Sequence, residues 1–241
     1  MPGLTSDPQV LGQELFSSSA VQAHGLGEKA TDGKGRIFRY VKAGASALVA
    51  GNVIQSPAEL ANHYGCGVAA AAIGAYQITV TPGATGGAAN LYAGGWACID
   101  TTPGLGQMIP IKSHPAITAS TAFVLTLELP LWVALTTSSK LTLVPNPFSA
   151  VIQSPVTTLT GAVQGAAVYP IAAGEYGWIG TGGPHPTLIA GTPGPGLAVV
   201  VPGTSAGCVV VDGAASATPP VGYMMVTGVD AKVLPVFWTK D

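Results

Sequence analysis

The apolar residues of this chain come in short, β-branched runs, and glycine or proline closes nearly every one of them. Gln77–Thr81, Trp96–Asp100, Met108–Lys112, Phe123–Glu128, Leu131–Thr136 and Leu141–Val144 follow one another in this way. Ala167–Ile171, Tyr176–Thr181, Leu197–Val201, Cys208–Val211, Tyr223–Thr227 and Lys232–Trp238 continue the series. A parallel α/β fold needs crossovers of about a dozen residues or more between strands, and these intervals leave no room for them. Many short, turn-bounded strands predict an all-β fold, an antiparallel barrel or sandwich punctuated by Gly and Pro. One short helix is expected over Ser56–Tyr64, where Ser56 is a good N-cap, Pro57 suits the first position and Gly65 terminates.

Residues 1–27 lack this strand pattern and read as an extended N-terminal arm that finds its structure on a neighbour. Only Gln9–Phe16 could form a helical turn or two. Residues 28–241 read as the β domain, divisible into subdomains 28–152 and 153–241. A weak internal echo supports that division. Tyr40 is followed by Gly44, Leu48 and Ala50-Gly51, and Trp178 by Gly182, Leu188 and Ala190-Gly191.

Charge narrows the function classes. Only 20 of 241 residues are Asp, Glu, Lys or Arg, about a third of the usual share of roughly 25%. Acid–base catalysis draws on those side chains, so a surface-building protein is expected and an enzyme is not. The net charge of −2 argues against a nucleic-acid binder. The longest apolar stretch, Ala119–Leu135, is broken by Glu128 and Pro130, short of the roughly 20 apolar residues of a membrane span. No export signal opens the sequence. Seven of the charges crowd into Glu28–Lys42, where Lys29, Lys34, Arg36, Arg39 and Lys42 oppose Glu28 and Asp32 for a local balance of +3. Within it Arg36–Lys42 alternates charge with aromatic or aliphatic residues, the period of a half-buried strand. The cluster is either a solvated hairpin or a contact to an acidic partner.

Motifs for chemistry are sparse. Cys66, Cys98 and Cys208 have no CxxC spacing and read as buried thiols of a protein made in a reducing cytoplasm. His24, His63, His114 and His185 are isolated in sequence, so no metal or other cofactor is expected. Paired carboxylates for glycoside hydrolysis would have to be Glu128 and Asp100, which read more simply as outward strand charges. The Trp and Tyr residues fall at strand spacing, suited to core or interface packing.

Arg36–Gly51, RIFRYVKAGASALVAG, resembles an element near the N-terminus of head decoration (cement) proteins of tailed bacteriophages. Gly94–His114, Leu141–Ile152 and Tyr176–Gly183 are similar to segments of capsid-associated phage proteins. The resemblance implies a structural virion protein on the outer face of the head, made in the host cytoplasm and bridging subunits of the major capsid protein. It implies a homo-oligomer, dimer or trimer, with no nucleic-acid or membrane partner. Leu4, Val10, Leu11, Leu15 and Phe16 of the arm, with Lys34, Arg36, Arg39 and Lys42, are the candidate contacts to capsid or neighbouring subunit. A tail-fibre or receptor-binding module for host glycans is the alternative, though the coiled-coil or repeat stalks of fibres are absent from the sequence.

Overall fold

The computed structural model describes residues 12–201, 204–213 and 218–241, and the fold is nearly all β. Glu59–Asn146 form one compact unit; the described residues through Ala58, with Pro147–Asp241, form another. The first is thus an insertion in the sequence of the second. The division falls at 58/59 and 146/147 and not at 152/153, because strands before residue 56 pair with strands after residue 150.

In the outer unit, strands β1 (Lys29–Thr31), β2 (Ile37–Lys42) and β3 (Val53–Gln55) precede the insertion. After it come β10 (Ile152–Gln153), β11 (Val163–Ala167), β12 (Tyr176–Leu188), β13 (Ala198–Val200), β14 (Val210–Val211), β15 (Gly222–Met224) and β16 (Val233–Thr239). They make one antiparallel sheet in the order β10-β3-β11-β12-β16-β15-β13-β14, with β2 joining β12 and carrying β1. β12 is the organiser. Its first half pairs with β2 and its second half with β16. The change of partner coincides with a shift of register between Gly180 and Gly182. At Gly183 the backbone turns left-handed, φ 77°, and a Cβ there would strike the Gly35 carbonyl, so only glycine fits. The echoed residues Tyr40 and Trp178 lie directly opposite each other across β2 and β12.

The inserted unit is a closed antiparallel barrel of β4 (Cys66–Val68), β5 (Gln77–Thr81), β6 (Trp96–Ile99), β7 (Met108–Ser113), β8 (Phe123–Leu127) and β9 (Lys140–Val144), ordered β4-β5-β8-β7-β6-β9. Period-two alternation sends Ile78, Val80, Ile109, Ile111, Leu125 and Leu141 inward, where they fill the interior as expected of a small barrel.

Further expectations fail, among them the strand at Ala167–Ile171, since the strand there ends at Ala167. Ser56–Tyr64 is not helical: Ser56 instead pairs in extended form with Ala162, N–H to O at 2.8 Å, and its Oγ accepts the Ala162 N–H. The single short helix of the described residues is α1, Gly12–Leu15. Leu131–Thr136 is a loop, with Leu131 and Leu135 buried in the barrel core. Residues 12–27 do not reach away as an arm but dock on their own unit, through the Ser19–Tyr176 bridge and the burial of Leu15.

Candidate functional site

The junction between this docked segment and the sheet gathers aromatic, cationic and anionic side chains. Register places Tyr40 opposite Trp178 and Lys42 opposite Tyr176, and residues two apart share a face. The Tyr40 and Tyr176 rings stack with centroids 6.1 Å apart, Trp178 meets Tyr40 edge-on at 5.0 Å, and the Lys42 ammonium lies 5.3 Å over Tyr176. Residues 12–28 form a strap over this face. Leu15 packs in one core with Phe38, Tyr40 and Trp178. The Ala23 N–H donates to the Tyr40 hydroxyl at 3.1 Å, and Ser18 Oγ donates to Glu175 at 2.5 Å. A recess of about 50 Å³ remains between Glu14, Ser17–Ser19, Tyr40 and Trp178, room for a few waters and little else.

His24 fastens the strap. Its Nε2 lies 2.5 Å from Glu14 Oε1 and its Nδ1 3.2 Å from Glu28 Oε1, while its ring contacts Tyr40 and Trp178 at 5.2 and 5.0 Å. Only the imidazolium can donate to both carboxylates. Burial pulls the His24 pKa down, but Glu14 and Glu28 outweigh it and hold it above the usual 6.5. A raised value means the stabilisation is complete below 6.5 and lost as pH rises through the raised pKa. Proteolysis of the strap should therefore accelerate with rising pH across that window, and His24→Gln should abolish the pH dependence. A rate flat with pH in the native protein would refute the fastening.

No protein-family model, curated protein or solved structure matches this chain.

The predicted contact residues divide. Leu4, Val10 and Leu11 lie outside the described residues. Leu15 is buried in its own unit and offers nothing to a partner, whereas Phe16 beside it is exposed. Both arginines of the basic cluster are paired. Arg36 Nε donates to Asp32 at 2.6 Å, and Arg39 grips Asp241 through Nε at 3.0 Å and Nη2 at 2.5 Å. Arg39 also donates to the Gly27 carbonyl. Burial would raise the Asp32 carboxyl, but the Lys34 and Arg36 hydrogen bonds hold it below its usual value. Arg39 does the same for Asp241. Lys42 is engaged with Tyr176; Lys34 is exposed. Of the four cations, Arg36 and Arg39 are thus paired with carboxylates of their own unit, while Lys34 stays exposed.

Isolation of the histidines in sequence does not survive folding. His63 and His114 lie on either side of buried Tyr92 in the barrel unit. Their nitrogens are consumed: His63 Nε2–H donates to the Thr85 carbonyl while Nδ1 accepts from the Tyr92 hydroxyl at 2.5 Å. His114 Nδ1–H donates to the Pro115 carbonyl and Nε2 accepts the Tyr92 N–H. Both rings serve as connectors within the barrel unit, with each nitrogen engaged. Among the described residues no three His, Cys, Asp or Glu groups converge as a metal site. Asp100 accepts from Thr101 and Thr142, and Glu128 is exposed at a strand end.

Proposed function

We propose that the chain is a structural virion protein that decorates the outer surface of a bacteriophage head, bridging subunits of the major capsid protein as a homo-oligomer. One observation carries the reading. Among the described residues 23 large apolar side chains are exposed, more than the 20 charged residues of the whole chain. Such a surface favours adhesion through apolar and backbone contacts, and with the arginines neutralised internally its affinity depends little on ionic strength. The resemblance of Arg36–Gly51 and Tyr176–Gly183 to capsid-associated segments supports the same reading. The thiols Cys66, Cys98 and Cys208 are all free, in keeping with synthesis in a reducing cytoplasm.

Open sheet edges give no support here. The barrel closes on itself, and the outer sheet ends in strands of two or three residues, β10, β14 and β1, which limit edge pairing by their shortness. Exposed side chains must make the contacts. Purified particles should carry the protein in hundreds of copies, retained when salt is raised from about 0.1 to 1 M, where the Debye length falls from roughly 10 to 3 Å. Release by salt would contradict the apolar mode of attachment. Copies in the tens or fewer would favour the second reading, a receptor-binding module for glycans, to which the exposed aromatics Tyr76 and Trp132 lend themselves.

A further inference from the structure

Strand order in the barrel brings three hairpin loops to one end. β4, β6 and β8 all run toward that end and β5, β7 and β9 all leave it, so loops 69–76, 100–107 and 128–139 share it. Ile73, Tyr76, Leu105, Met108, Leu129 and Trp132 are each about half to two-thirds exposed there, from 49% to 68%. They are not core residues spilling out. Leu131 and Leu135, on the same loop as Trp132, point inward at 1% and 2% exposure and plug the barrel.

The loops are also fixed to one another. Buried Gln107 accepts the Trp132 and Val133 N–H groups on its Oε1, both at 3.0 Å, and its Nε2 donates to the Val133 carbonyl. Gly74 N–H donates to the Leu131 carbonyl and Leu131 N–H to the Ala75 carbonyl, at 2.8 and 3.0 Å. A patch held this way loses little conformational entropy on binding.

We infer that this end of the barrel is the self-association surface, binding a second copy of the chain about a two-fold axis; the inference rests on the homo-oligomer in the proposed function and gives it a location. Area favours it. A stable interface takes about 800 Å² from each partner, and six half-exposed large side chains at on the order of 100 Å² each supply most of that. Charge selects the occupant. The three loops contain no Lys or Arg, and Asp100 and Glu128 at the strand ends are their only acidic residues, so no charge pattern recruits a charged partner. A predominantly apolar patch, with Asp100, Glu128 and Lys140 at the strand ends around it, can pair with its own copy across a two-fold. Tyr, Trp and Met are the types enriched in interface centres.

Sedimentation of the full chain tests this. The native protein should be a dimer at micromolar concentration. Trp132→Ser combined with Leu105→Ser should weaken association by roughly 30-fold or more, the loss expected of a central anchor, with unchanged far-UV circular dichroism. Phe237→Ser, an exposed site in the outer unit, should leave the dimer intact. A monomeric native protein overturns the inference, as does a double variant that dimerises like the native chain. If the variant loses particle occupancy without any change in its solution state, the patch faces the capsid, and self-association falls while the decoration reading stands. Intact dimers absent from particles would instead defeat the decoration reading alone.

Discussion

Trp178→Ala should cost the outer unit about 3–5 kcal/mol, the range for removing a fully buried large aromatic, and should free the strap. The indole is 1% exposed and is packed by Leu15, Tyr40 and His24. Its Nε1–H has no acceptor among the described residues, so what is lost is packing, not a hydrogen bond. Trp178→Phe should accordingly recover a large part of the loss. Denaturant unfolding gives the energy, and cleavage within residues 16–27 reports the strap. A Trp178→Ala protein whose strap stays protected would show that Leu15 and His24 hold it without the indole.

Gly180→Ala should be nearly as damaging, although it adds one methyl. A Cβ at this position would lie 2.3–2.6 Å from three atoms of the His185 ring. The ring has nowhere to go: its Nε2–H is shared between the Ile37 and Gly182 carbonyls at 3.1 and 2.9 Å, and Phe38 stands edge-on at 5.0 Å. Overpacking of this kind costs about 3 kcal/mol, at the upper end of the usual range. Removing the ring should relieve it, so Gly180→Ala should cost far less in a His185→Ala background, a coupling that a double-mutant cycle measures. Additive effects would exclude the clash as the cause. The same ring makes the fold acid-sensitive. Burial lowers the His185 pKa from 6.5 to about 4, against the pull of its two carbonyl partners. The neutral form is the native one, so this stability is complete above 6.5 and falls away as pH drops toward 4, by roughly 3 kcal/mol in all. His24 works in the opposite sense, so the strap and the sheet are best satisfied together near neutrality.

Strand content was legible where apolar and polar residues alternate over four residues or more. It was not in β1, β3 and β4, which are three residues each, or in β11, which is buried almost throughout. β5 matches its expected span, and β6 to β9 match within a residue or so, because Ile78/Val80 and Leu141/Leu143 alternate cleanly with polar neighbours. β12 was read only as far as Thr181. Its Pro184-His185-Pro186 looks like a break, yet the strand continues because β16 covers it. The helix expected at Ser56–Tyr64 had sound end signals but no apolar stripe: Leu60 and Tyr64 are exposed while His63 is buried. Leu131 and Leu135 are four residues apart and both plug the barrel, a spacing that a period of two cannot express. At the junction, the alternation of Arg36–Lys42 announced a surface strand. That Trp178 and Tyr176 lie across from it depends on a register between residues about 140 apart, which no local pattern encodes. The pairing of Arg39 likewise depends on Asp241, 202 residues away.

The nesting of one unit inside the sequence of the other also sets an order of events during synthesis. Every strand of the barrel lies within Glu59–Asn146, so it can close while the rest of the chain is still being made. β2 and β3 emerge earlier but must wait for β10, β11 and β12. Their apolar faces stay uncovered until residue 188 has been added. A finished barrel replaces a long flexible stretch with a rigid body, leaving fewer conformations to be surrendered when the outer sheet finally closes. The first strands translated are thus among the last to be buried, and the interval between is when this chain most needs protection from aggregation.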